Sequence, residues 1–177
     1  MTEREEPLFD AVVRIDRLPA GGRSVDVDLD ETQREQLAAT LKLTSVEHFT
    51  ASLTVAPLRG GLRAQGRLNA TIVQPSVVSF EPVTQVIEEE VDRVFLPAER
   101  GPKPTPGAEI FVDLEDDDFP DHIDGPEVDL SALLVETLAL AIEPYPRLEG
   151  ESIDDLGIGD QAGESGPFAA LSKLKEP

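Results

Sequence analysis

Over residues 46–73 apolar and polar side chains alternate almost without a break, and the one interruption is Arg59-Gly60-Gly61. Phe49, Ala51, Leu53 and Val55 alternate with Thr50, Ser52 and Thr54. Beyond the glycines, Leu62, Ala64, Gly66, Leu68, Ala70 and Ile72 alternate with Arg63, Gln65, Arg67, Asn69 and Thr71. Successive side chains of a strand point to opposite faces. A period of two on both sides of a glycine turn therefore predicts a long antiparallel hairpin with one buried and one wet face. The remaining segments must bury their apolar residues against that sheet.

Phe9, Ala11, Val13 and Ile15 predict one further strand and Val25, Val27 and Leu29 another. Leu18-Pro19-Ala20-Gly21-Gly22 between them predicts an antiparallel hairpin, with a longer crossover as the alternative. Asp30 opens a helix through about residue 43, with Gln33 as its capping-box partner and Leu37 and Leu41 on one face. After Gln74-Pro75 the pattern predicts a strand at 77–80 and another over 83–95, then a proline-rich loop at 97–107 and a last strand at 108–114. Residues 129–142 read as a second helix, apolar at Leu130, Leu133, Leu134, Leu138 and Ala141 and stopped by Pro144 and Pro146. The expected class is α+β, an antiparallel sheet or partly closed β-barrel with two covering helices and a flexible acidic C-terminal tail. Residues 1–147 are assigned to a single domain, 148–166 to a flexible linker, and 167–175 to a short helical interaction motif bearing Phe168, Leu171 and Leu174.

The 177 residues suit one ordinary core, and with no cysteine they allow no disulfide, thiolate metal site or cysteine nucleophile. A charged N-terminus and the lack of a membrane-length apolar run predict a soluble, cytoplasmic protein. The net charge of −21 is uneven: residues 104–177 carry 3 basic and 19 acidic side chains, residues 1–103 carry 12 and 17. Asp113, Glu115, Asp116, Asp117, Asp118, Asp121 and Asp124 crowd one segment that would repel a phosphate backbone and suits a basic partner. A calcium loop is disfavoured, because Asp118 stands where the sharp-turn glycine belongs and Asp124 where a bidentate glutamate belongs. His48 and His122 have no assignable nucleophile, and Gly163-Glu164-Ser165-Gly166-Pro167 lacks the final glycine of a nucleophile elbow.

Arg63 and Arg67, with Arg59 and Arg93 as candidate neighbours, form the one local basic patch, since Glu47 is the only acid between Thr44 and Ser79. With Gln65, Asn69 and Thr71 beside them they are candidates for phosphate contact. An ordinary solvated sheet face is the plainer reading, and no aromatic stacking platform accompanies them.

Two stretches carry a resemblance. Gly66 and Leu68 lead into Ser76-x-x-Ser79, followed by Phe80, Glu81, Pro82 and Val83. Downstream come Asp129-Leu130, a mid-helix Glu136, and Pro144-x-Pro146, with a closing Pro-Phe-Ala-x-Leu-x-x-Leu-Lys over residues 167–175. In order and spacing these segments resemble the YceD family, the large ribosomal RNA subunit accumulation proteins of bacteria and chloroplasts. Family members typically carry Cys-x-x-Cys where this chain has Ser76 and Ser79. A serine hydroxyl cannot replace a thiolate on zinc, so neither metal nor other cofactor is expected. The resemblance implies a non-enzymatic ribosome-biogenesis factor for accumulation or maturation of large-subunit (23S) ribosomal RNA. The expected partner is a basic ribosomal protein or assembly factor, with or without rRNA. Two alternatives stand beside it: direct rRNA binding through the Arg63/Arg67 face, and a carboxylate-dependent hydrolase.

Overall fold

The computed structural model describes residues 8–98 and 120–152. Its elements are β1 (Val12–Arg14), a 3-10 turn (Ile15–Arg17), β2 (Arg23–Asp28), α1 (Glu31–Leu41), β3 (Ser45–Leu58), β4 (Gly61–Pro75), β5 (Pro82–Pro97), β6 (Asp121–Ile123), β7 (Glu127–Asp129) and α2 (Leu130–Ala141). The class is α+β. β2, β3, β4, β5 and β6 hydrogen-bond in that order as a five-stranded sheet, antiparallel except at the short β5–β6 pairing, while β1 and β7 form a separate two-stranded ribbon.

The central hairpin runs longer than its alternation. β3 and β4 pair from Ser45↔Val73 to Leu58↔Gly61 with one bulge near Val46, and β5 pairs with β4 from Leu62↔Phe95 to Pro75↔Pro82. Arg59 (φ 48°) and Gly60 (φ 82°) make the turn. α1 begins with a complete capping box, Asp30 bonding the Gln33 N–H and Gln33 reaching back to the Asp30 N–H. α2 is capped by Asp129.

Of the sheet and barrel alternatives the sheet holds, and two further expectations fail. No barrel closes among the described strands: β2 and β6 lie at opposite edges of an open sheet. β1 and β2 are not a hairpin, because β1 pairs with β7 and β2 with β3. Alternation gives a strand two faces but does not choose its neighbour, and Val25 and Val27 reach the core by pairing opposite Leu53 and Ala51. Residues 77–80 form a turn rather than a strand, because the Ser76 hydroxyl accepts the Val78 and Ser79 N–H groups that a strand would offer to a neighbour. The strand expected at 108–114, the motif at 167–175 and the acidic residues 113–118 lie outside the described residues.

One face of the large sheet is buried beneath α1, α2 and the ribbon. Phe49, Leu53, Leu62, Leu68, Ile72, Leu37, Leu130, Leu134 and Leu138 are fully enclosed there, and Phe9 meets Phe49 with ring centroids 5.9 Å apart. The opposite face carries no layer of described elements.

Candidate functional site

The register fixes what the open face displays. Residues paired across an antiparallel ladder share a face. Arg67 stands between Ser52 and Glu90, Gln65 between Thr54 and Asp92, and Asn69 between Thr50 and Glu88, with Asp26 and Asp28 of β2 beyond Ser52 and Thr50. Arg63 donates twice to Asp92, at 2.8 and 2.7 Å, and Gln65 donates to the same carboxylate at 2.9 Å. Arg67 meets Glu90 at 3.1 Å with both side chains well exposed. The paired guanidinium, more than Gln65, holds the Asp92 carboxyl below the usual aspartate range. Asp26, Asp28, Glu88, Glu90 and Asp92 thus outnumber Arg63 and Arg67, and the basic strip expected from β4 becomes part of an acidic face. The sequence could not expose this, since the neutralising carboxylates arrive from β5, some 25 residues downstream.

The other two arginines are not gathered there. Arg93 pairs opposite Ala64 on the helix-covered face and lies 3.8 Å from Asp121 of β6, while Arg59 sits in the β3–β4 turn. Asp124 is exposed beyond β6.

A second constellation forms where the family-like motifs meet. Ser76 is wholly buried; its hydroxyl accepts from the N–H groups of Val78 (3.0 Å) and Ser79 (3.3 Å) and donates to the Glu151 carboxylate (2.5 Å). The same carboxylate accepts the Leu148 N–H at 2.9 Å. The hydroxyl bonds, from Ser76 first and Ser79 second, lower the Glu151 pKa. Val77 N–H donates to the Pro146 carbonyl at 2.9 Å, and Ser76 N–H to the Glu81 carbonyl at 2.8 Å. Buried Gln74 donates to the Glu143 carbonyl, and Gln85 bonds both the Ala141 carbonyl and the Glu143 N–H, each at 3.0 Å.

The chain after α2, including Pro144 and buried Pro146, is therefore laced onto the turn between β4 and β5. Ser76 and Ser79 occupy one compact turn, but only Ser76 is enclosed; Ser79 is exposed and bonds the Glu81 N–H. Gln74, Gln85 and Glu151 went unread because no local pattern marks a polar residue whose partner is about 60 or more residues away. Gly66 has a structural reason: a Cβ there would run into the Ser52 carbonyl oxygen. Leu68 and Leu130 are core, and Glu136 is exposed on α2.

Among the described residues, the carboxyls with displaced pKa values are more acidic than usual. Asp16, Asp92 and Glu151 are shifted toward greater acidity, opposite to what a carboxyl acting as general acid needs. His48 shares a 3.3 Å contact with Thr50 on the open face, and His122 is exposed on β6. Among the described residues no three His, Cys, Asp or Glu are grouped to hold a metal ion. No described helix is long and apolar enough to cross a membrane.

A family model described as "Large ribosomal RNA subunit accumulation protein YceD" matches residues 64–175, more than half of the chain. No curated protein and no solved structure matches. The matched span starts within β4 and takes in both the β4–β5 turn and the segment laced to it.

Proposed function

The chain belongs to the YceD family, and from that premise we propose that it is a non-enzymatic factor in accumulation or maturation of large-subunit ribosomal RNA, acting by holding a basic protein of the ribosome or its assembly. The observation that carries this reading is the charge of the open sheet face, where Arg63 and Arg67 are each matched by a carboxylate and Asp26, Asp28 and Glu88 are left over. A phosphate backbone gains little from guanidinium groups already paired, and it meets the field of a chain with net charge −21. A lysine- and arginine-rich surface meets the opposite situation. The acidic stretch that includes Asp121 and Asp124 adds to the same attraction.

The test is equilibrium binding at physiological salt to purified large-subunit ribosomal proteins and, separately, to naked large-subunit rRNA. The basic proteins are expected to bind more tightly, with affinity falling as salt rises. Neutralising Asp26, Glu88 and Glu90 together should weaken that binding. Tighter binding to naked rRNA, lost on changing Arg63 and Arg67, would replace this reading with direct RNA recognition.

A further inference from the structure

The β4–β5 turn displays a side chain that folding does not explain. Phe80 has φ +63°, the left-handed region that costs a non-glycine residue about 1–2 kcal/mol and is a true outlier for a bulky one. The residue is 78% exposed. The conformation is held from both sides, by the Phe80 N–H to the Ser76 carbonyl (3.1 Å) and the Ser76 N–H to the Glu81 carbonyl (2.8 Å). A turn that needs this backbone is served best by glycine, and one facing water by a polar residue. A strained backbone carrying an exposed aromatic ring is a recurrent signature of a binding element.

Phe80 is not isolated. Val77 and Leu148 are about two-fifths exposed and Tyr145 two-thirds exposed. The two segments bearing these residues are joined by the Val77–Pro146 bond and by the Ser76–Glu151 bond. Exposed Glu81, Glu143 and Glu149 lie beside these residues along the two segments, and Arg147 is the one cation among the described residues 76–81 and 143–151. Carboxylates thus flank the exposed apolar side chains along both segments.

We propose that this turn and the segment laced to it form a docking surface for a basic protein segment, one that inserts an apolar side chain beside Phe80 and places lysine or arginine on the flanking glutamates. This rests on the reading of a basic protein partner and adds to it a specific anchor distinct from the open sheet face. Exposed aromatics flanked by charge fit the anatomy of interface hot spots, where an apolar centre supplies affinity and a polar rim supplies orientation. A nucleic acid gains nothing from these carboxylates.

The molecule supplies its own reporter: Tyr145 is the only tyrosine and there is no tryptophan. Intrinsic tyrosine emission therefore reads this surface and no other. The probes are a short lysine–leucine peptide and an oligolysine of equal charge, both free of tyrosine and tryptophan, at physiological salt. The lysine–leucine peptide should change Tyr145 emission saturably and bind at least about tenfold more tightly than oligolysine. Phe80→Ala should weaken that binding by about tenfold or more. Phe80→Gly should weaken it equally while raising the melting temperature, because it relieves the left-handed strain.

If the two probes bind alike and neither Phe80 variant alters them, the apolar anchor is overturned while the acidic-partner reading stands. If Tyr145 emission responds to neither probe, this docking surface is overturned, while the open-face reading falls only if the basic ribosomal proteins fail to bind.

Discussion

Ser76 and Ser79 look alike in sequence and differ sharply in place. The Ser76 hydroxyl serves two backbone N–H groups and one carboxylate from a wholly buried position, whereas Ser79 is exposed. Losing a buried hydrogen-bonding group leaves its partners unsatisfied, so Ser76→Ala should cost about 2 kcal/mol in denaturant unfolding and Ser79→Ala under about 1 kcal/mol. Equal costs would mean that the turn relaxes to satisfy its own N–H groups. Gly66 is a second position where side-chain space decides the outcome. Its neighbour on β3 leaves no room for a methyl group, so Gly66→Ala should destabilise by about 1–3 kcal/mol although alanine suits the strand better by propensity.

At the level of elements, the end of α2 is fastened by side chains rather than by a glycine cap. Gln85 takes the Ala141 carbonyl and the Glu143 N–H, and Gln74 takes the Glu143 carbonyl. Gln85→Ala should therefore speed amide exchange in the last turn of α2 and leave α1 unaffected, because α1 has its own cap at Asp30. The bond from Ser76, the leading cause of the lowered Glu151 pKa, also gives the attachment a pH dependence. A carboxyl whose folded pKa lies below its unfolded value adds stability above the unfolded value and loses that share as pH falls through the folded one. On acidification the wild-type protein should lose more stability than Glu151→Gln, with the difference confined to pH values at and below the ordinary glutamate range. Parallel melting curves of the two proteins across acid pH would remove Glu151 from this role.

For the molecule as a whole, charge is the largest unbalanced quantity. Its described ion pairs, such as Arg14–Asp16 and Arg67–Glu90, lie at the surface, where such contacts add little. The −21 net charge, by contrast, repels itself throughout the fold. Moderate sodium chloride should accordingly raise the melting temperature by screening that repulsion, while weakening any basic partner's hold. A melting temperature that falls with salt would mean that the pairs, Arg63–Asp92 foremost, outweigh the repulsion.

Each feature readable in the chain was one whose physics is local. Alternation through residues 46–73 specified the hairpin, because side-chain direction repeats every two residues. Asp30 with Gln33 specified the start of α1, because a cap reaches only three residues, and Pro144 and Pro146 marked the end of α2. What the chain did not disclose depends on segments meeting from far apart. β1 chose β7 over the nearby β2, and β5 delivered the carboxylates that neutralise Arg63 and Arg67. Glu151 arrived from 75 positions away to bond Ser76 and help hold the turn that lifts Phe80 into solvent. A residue's type and spacing set which bonds it can make, but partner choice among distant groups is settled only when burial brings them together, and here that step decided the charge of the open face and the shape of the turn.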